Sequence, residues 1–190
     1  SLKDNETYTL NTVLKTLNDG ITDGEIDRAV GGGDGVTFGE AHGYDEFNPT
    51  TDKHWVEGSQ KVDGKTYIDG DTIHGQVTMT LPDKNSLAKA LSTVQIIDDY
   101  SKFADKVDYK SAQVLENGKD VTSEYNISNA YGQVVATRKN AGATPSGNVV
   151  LNVTWTIHKD VKSGTQLVNS GSGRINSHTV PTPDRNIVTY

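Results

Sequence analysis

Three polar side chains stand where strand alternation points them at a core. In Val94-Gln95-Ile96-Ile97-Asp98-Asp99-Tyr100, a period of two sends Val94, Ile96 and Asp98 one way and Gln95, Ile97 and Asp99 the other. Gln95 marks the second face as the wetter, so Asp98 faces inward. By the same reading Lys53 shares a face with Trp55, and Asn169 shares one with Leu167. A buried carboxylate without a partner costs several kcal/mol or keeps its proton. An inward lysine, acid and amide near the start, middle and end of one domain are each expensive alone; together they could satisfy one another. Plainer readings stand beside this one. Asp98 could close a strand where water reaches it, Lys53 could lay its stem along Trp55 with the amine in solvent, and Asn169 could open a turn at Ser170-Gly171. Asn176 is a second candidate amide and Asp99 a second candidate acid.

Other clusters point less clearly to chemistry. Glu40, His42, Asp45 and Glu46 bring oxygen and imidazole ligands together, but they match no recognised metal spacing and suit a solvated acidic loop. Asp69-Gly70-Asp71 could offer oxygens to calcium, although such sequences commonly form plain turns. Gly31-Gly32-Gly33-Asp34-Gly35 lacks the lysine of a phosphate-binding loop, and no strand precedes it. No Ser/His/acid set or pair of carboxylates has a spacing that points to hydrolysis.

Composition narrows the classes further. Of 190 residues only 33% are apolar, low for a globular domain, and 19 glycines with abundant Thr, Ser, Asn and Asp imply many turns around a small core. The absence of cysteine excludes a disulfide framework, thiol catalysis and Cys-ligated zinc. A net charge of -7 argues against a general nucleic-acid or anionic-membrane partner. No apolar run reaches the roughly 18 residues of a membrane span, and no signal peptide is visible, so the sequence reads as a piece excised from a larger protein.

The elements that must position these residues are mostly strands. Residues 1–50 read as a separate extension: Leu10, Val13, Leu14 and Leu17 form the stripe of a short amphipathic helix, closed by Asn18-Asp19-Gly20 and followed by the glycine run. From residue 51 the texture is β. Strands are expected over Thr51–Val56, Ile73–Leu81, the Val94 stretch, Val107–Leu115, Val121–Ile127, Gln133–Arg138, Val149–Ile157 and Gln166–Asn169. A helical turn is expected over 86–91, a turn at Gly171–Gly173, a last strand over about Arg174–Val180, and an exit linker from Pro181 and Pro183. Without any βαβ rhythm, this spacing points to an antiparallel sandwich over residues 51–190.

Lys53-His54-Trp55, the Asp98-Asp99-Tyr100 strand end, and the closing Asn169 and Asn176-Ser177-His178-Thr179-Val180-Pro181-Thr182-Pro183 together resemble domains of Gram-positive surface adhesins. The nearest resemblance is to the isopeptide-forming C-terminal domains of the streptococcal antigen I/II family, over roughly residues 51–183. It implies a mainly β, immunoglobulin-like antiparallel β-sandwich, here with the short helical N-terminal extension. In such domains a first-strand lysine bonds covalently to a late asparagine, and an aspartate promotes the reaction. Carried over, Lys53 is the nucleophile, Asn169 the electrophile and Asp98 the catalyst.

Physical chemistry allows this independently. Burial lowers a lysine pKa and raises an aspartate pKa, so a neutral amine and a protonated acid can coexist. The amine attacks the carboxamide, the acid polarises it, and ammonia leaves; held neighbours make the step unimolecular. The reaction occurs once, so the chain is not an enzyme with turnover. The new amide would close a loop of about 115 residues, worth about 4–5 kcal/mol in the chain-entropy model, and needs no oxidant.

The implied role is a structural or adhesion module of a cell-wall-anchored extracellular protein. Its partners would be neighbouring domains of the same protein and a host or bacterial surface protein or glycan. No cofactor is required for the bond, and calcium is possible. The alternative is a calcium-dependent carbohydrate- or protein-binding module.

Overall fold

A computed structural model describes residues 48–83, 85, 87 and 89–190. The expected helix, the glycine run and the Glu40-to-Glu46 cluster lie outside the described residues, as does part of the turn expected over 86–91. The chain divides into two compact units, Ser1–Phe47 with Asn85–Ala90, and Asn48–Lys84 with Leu91–Tyr190. Of the first unit only residues 85, 87, 89 and 90 are described, and none is in a strand or buried. The second unit carries the sandwich.

In chain order its strands are β1 (Thr50–Glu57), β2 (Gln60–Lys61), β3 (Thr66–Tyr67), β4 (Thr72–Leu81), β5 (Val94–Asp99), β6 (Val107–Glu116), β7 (Lys119–Asp120), β8 (Tyr125–Ala130), β9 (Gln133–Arg138), β10 (Gly147–Ile157), β11 (Gln166–Ile175), β12 (His178–Pro181) and β13 (Arg185–Thr189). One sheet has six strands in the order β2-β1-β4-β10-β6-β7. The other has seven, β8-β9-β5-β11-β13-β3, with β12 also paired to β11. Pairing is antiparallel except between β13 and β3.

Alternation produces the core as expected. Ile73, Val77, Met79 and Leu81 of β4 and Val149, Leu151, Val153, Trp155 and Ile157 of β10 are buried, as are Val94 and Ile96 of β5. Their neighbours in the strands remain partly solvated. Trp155 anchors an aromatic cluster, with ring centroids 5.3 Å from Tyr100, 5.4 Å from Phe103 and 5.7 Å from Trp55. Two hairpins turn at Asn117-Gly118 and Tyr131-Gly132, where both residues adopt positive φ; this matches the twist of two-residue hairpins.

Three expectations need correction. The turn placed at Gly171–Gly173 is absent, because β11 runs unbroken from Gln166 to Ile175. These glycines face the opposite sheet. A β-carbon at Gly171 would lie 2.5 Å from the Ile97 carbonyl oxygen and 2.7 Å from Val77, and one at Gly173 would lie 2.6 Å from Met79 Sδ. They are small so that two layers can approach, and the turn falls instead at Asn176-Ser177, before β12. The strand expected from Val121 begins only at Tyr125, since Thr122–Glu124 form a 3-10 turn held by Asp120 Oδ1, which accepts from Thr122 N and Oγ1. The expected exit linker holds a further strand, β13, which pairs along the first half of β11.

Candidate functional site

The site forms where β11 changes partners. Its residues Ser170–Ile175 pair with β5, while Gln166–Asn169 pair with β13. Asp98 lies opposite Gly171, which makes Asn169 its diagonal neighbour on the same inner face. Since β5 is ending there, the Asn169 side chain can fold back over it. Its Nδ2 donates to Asp98 Oδ1 at 2.7 Å, to the Asp99 carbonyl at 2.9 Å and to the Ser170 carbonyl at 3.3 Å. These three acceptors fix which way the carboxamide faces.

Lys53 reaches the same place from the other sheet. On β1 it pairs with Val77 and points inward beside Trp55. Its Nζ lies 3.8 Å from Asp98 Oδ2, 3.2 Å from the His54 carbonyl oxygen and 5.1 Å from the Trp55 ring centre. Lys53, Asp98 and Asn169 all have 0% exposure. Asp98 Oδ2 and Asn169 Oδ1 are buried without a hydrogen-bond partner, as is Trp155 Nε1. Orphaned buried polar atoms are uncommon in folded proteins.

Burial dominates the electrostatics. It pulls Lys53 down to about 8, with Asp98 and Asp63 opposing only in part. It pushes Asp98 up to about 6, against the attraction of Lys53 and the hydrogen bond from Asn169. Both shifts make moving a proton from amine to carboxylate much less uphill than it is between ordinary groups. Between the ordinary values for these groups, 10.5 and 3.8, the same transfer would cost about 9 kcal/mol. The chemistry open to the site is an amide exchange through a minor neutral pair.

The structure thus brings together Lys53, Asp98 and Asn169. Asp99 lies on the other face, where its Oδ1 accepts from Ser101 N at 2.9 Å and from Ser101 Oγ at 2.6 Å. Asn176 Oδ1 accepts from Ser92 N at 2.8 Å and Thr93 N at 3.2 Å, in the turn after β11. In the Asp69-Gly70-Asp71 loop, Asp71 Oδ2 accepts from Ile68 N at 2.9 Å. Among the described residues no three His, Cys, Asp or Glu side chains are grouped to hold a metal, and no helix is long and apolar enough to cross a membrane.

Sequence reasoning passed over a second inward polar set. Arg138 Nε and Nη2 donate to Glu116 Oε2 and Oε1 at 2.8 and 3.0 Å, and Tyr125 Oη donates to Glu116 Oε2 at 2.7 Å. The signal was available, because Glu116 follows Val114 and Arg138 follows Val134 and Ala136 at the same period of two that reveals Asp98. Behind Lys53, His54 sits between two carboxylates, with Nδ1 2.6 Å from Asp63 Oδ2 and Nε2 3.0 Å from Asp52 Oδ2.

A family model described as the cell surface antigen I/II C2 terminal domain matches residues 49–182, a span that contains all three site residues. Solved structures share the fold. The C-terminal domain of the Streptococcus agalactiae AgI/II polypeptide BspA is 13% identical with a TM-score of 0.63, covering 74% of this chain and 50% of that one. The C-terminal domain of the Streptococcus pyogenes antigen I/II-family protein AspA is 16% identical with a TM-score of 0.62, covering 76% of this chain and 47% of that one. BcpA, the major pilin subunit of Bacillus cereus, is 13% identical with a TM-score of 0.63, covering 75% and 40%. The chain therefore spans half or less of each of these three solved chains. No curated protein matches its sequence closely enough to count as a relative.

Proposed function

Because the chain belongs to the cell surface antigen I/II C2 terminal domain family, we propose that it is a structural module of a bacterial surface adhesin, hardened by an amide bond between its own Lys53 and Asn169. The observation that carries this reading is the burial of an amine, a carboxyl and a carboxamide against one another, with 2.7 Å from Asp98 to Asn169 and 3.8 Å from Asp98 to Lys53. Structural similarity to a pilin subunit and to antigen I/II C-terminal domains supports an extracellular, load-bearing role beside neighbouring domains of the same protein.

The reaction starts when Lys53 Nζ gives a proton to Asp98 Oδ2. Neutral Nζ attacks Asn169 Cγ, forming a tetrahedral centre. Asp98 passes a proton to Nδ2 and takes one from Nζ, the Cγ–Nδ2 bond breaks, and ammonia leaves. The product is an amide linking β1 of one sheet to β11 of the other. In place of an ion pair in a dry interior the domain then holds a neutral link, which also shrinks the unfolded ensemble.

Intact-mass spectrometry tests it. Folded protein is expected to be lighter than its sequence by one ammonia, about 17 Da, and Lys53→Ala should restore the full mass. Unmodified mass in folded wild-type protein overturns the proposal.

A further inference from the structure

The inner face of β4 is lined by Ile73, Val77, Met79 and Leu81, with one small residue, Gly75, between the first two. Gly75 sits mid-sheet, paired with Trp55 on β1 and Val153 on β10. Glycine there costs roughly 0.5–1 kcal/mol relative to alanine. It is not among the residues with positive φ, so backbone freedom does not explain it. A β-carbon at this position would lie 2.7 Å from Asn169 Oδ1, 2.8 Å from Lys53 Nζ and 2.9 Å from Trp155 Cζ3. Comfortable contacts of such a carbon are about 3.5 Å or longer. Two of its three neighbours are the groups that would react.

We propose that Gly75 is a positioning residue for the Lys53–Asn169 bond: its missing side chain is the space in which the amine meets the carboxamide. The inference rests on the amide-forming reading above. A methyl group at Gly75 could not be relieved by the carboxamide, whose nitrogen is held by Asp98, the Asp99 carbonyl and the Ser170 carbonyl. Nor could Trp155 give way easily, because it is packed against Trp55, Tyr100 and Phe103. The flexible member is Lys53, so the crowding displaces the nucleophile. The same space serves the tetrahedral centre, whose oxygen must leave the amide plane where Oδ1 already abuts Gly75. Misplacing a reacting atom by about 1 Å can cost about 100-fold in rate.

The test follows ammonia loss by intact mass over time in wild type, Gly75→Ala and the double variant Gly75→Ala/Trp155→Phe, with hydrogen exchange reporting the fold. Gly147→Ala is the control: it crowds the Asn117 side chain from a positive-φ position remote from the site. It should destabilise the domain yet cross-link at the wild-type rate. Gly75→Ala is expected to cross-link about 100-fold more slowly while folded. The double variant removes the Trp155 clash but keeps those with Nζ and Oδ1. It should stay slow, and it decides the matter if the single variant does not fold. Wild-type rates in folded Gly75→Ala, or in the double variant, overturn the role of Gly75. Unmodified mass in wild type overturns the bond itself, a separate and recognisable failure.

Discussion

Asp98 accepts the Asn169 amide nitrogen on one oxygen at 2.7 Å and turns its other oxygen to Lys53 Nζ at 3.8 Å. A single carboxyl group therefore touches both the nitrogen that would leave and the nitrogen that would replace it. Asp98→Asn keeps the shape but cannot relay a proton. It is expected to fold and to cross-link about 10²- to 10⁴-fold more slowly, the range for lost general acid–base catalysis. Time-resolved intact mass reads the rate; wild-type kinetics in Asp98→Asn would remove Asp98 from the mechanism.

The pH dependence of stability separates the linked from the unlinked chain. Asn169→Ala has no electrophile and retains the buried Lys53, held near about 8 against its ordinary 10.5. Between those values the unfolded chain binds more protons, so the variant's stability should rise with pH from about 8 to 10.5. Below about 8 both states are protonated and the whole burial penalty remains. Asp98, raised from 3.8 to about 6, has the opposite effect: the folded state binds more protons in that window, and stability falls as pH rises through it. Asn169→Ala should therefore be weakest just below about 8, in a window whose lower edge lies above about 6 because the variant loses the Asn169 hydrogen bond that holds Asp98 down. Cross-linked wild type, with Lys53 consumed as an amide, should lack the alkaline rise. Urea denaturation of both proteins across pH makes the comparison, and matching alkaline arms would contradict it.

The Glu116–Arg138 pair joins β6 of one sheet to β9 of the other, with side chains only 4% and 7% exposed. Burial alone would raise Glu116, but hydrogen bonds from Arg138 and Tyr125 outweigh it and hold the carboxyl below its ordinary range. Glu116→Gln leaves the guanidinium buried without its counter-charge and should cost about 3–5 kcal/mol in denaturant unfolding. Glu116→Leu with Arg138→Met should cost far less, because both charges go together.

Gly171 and Gly173 should respond unequally to alanine. At Gly171 the new carbon meets the Ile97 backbone oxygen, whereas at Gly173 its nearest atom is the Sδ of Met79, which can rotate away. Gly171→Ala should lose about 1–3 kcal/mol, as overpacked cores do, and Gly173→Ala less. Equal thermal melting of the two variants would show that the β5 backbone at Ile97 yields more readily than this.

The strands that could be read from sequence were those whose own residues carry the pattern. β4 and β10 alternate cleanly over ten or more residues, and the inward Asp98 stands out because Val94 and Ile96 precede it. What escaped depends on the facing layer. Gly171 and Gly173 look like turn residues until Val77 and Met79 are seen against them. β13 was hidden because Arg185 and Asn186 are polar, two prolines precede it, and its pairing with Gln166–Asn169 is long-range. The meeting of Lys53 with Asn169 is likewise a fact of sheet packing; alternation supplies only the direction each side chain faces.

The position of β13 decides where such a domain would yield under tension. A link from Lys53 to Asn169 shields residues 54–168 from a pull along the chain, so residues 170–190 carry the load without covalent help. Arg185 pairs with Asn169 itself, and β13 then runs antiparallel along β11 to Val188 opposite Gln166. Force entering at Asn169 and leaving beyond Thr189 acts on opposite ends of this ladder. Its hydrogen bonds are loaded in shear, all at once, and cannot unzip one at a time. Trp55 Nε1 donating to the Arg185 carbonyl at 3.0 Å, and Arg185 Nε donating to the Lys53 carbonyl at 3.0 Å, tie the same short strand to β1. With such a link in place, the last strand would act as a mechanical fuse set in series with it.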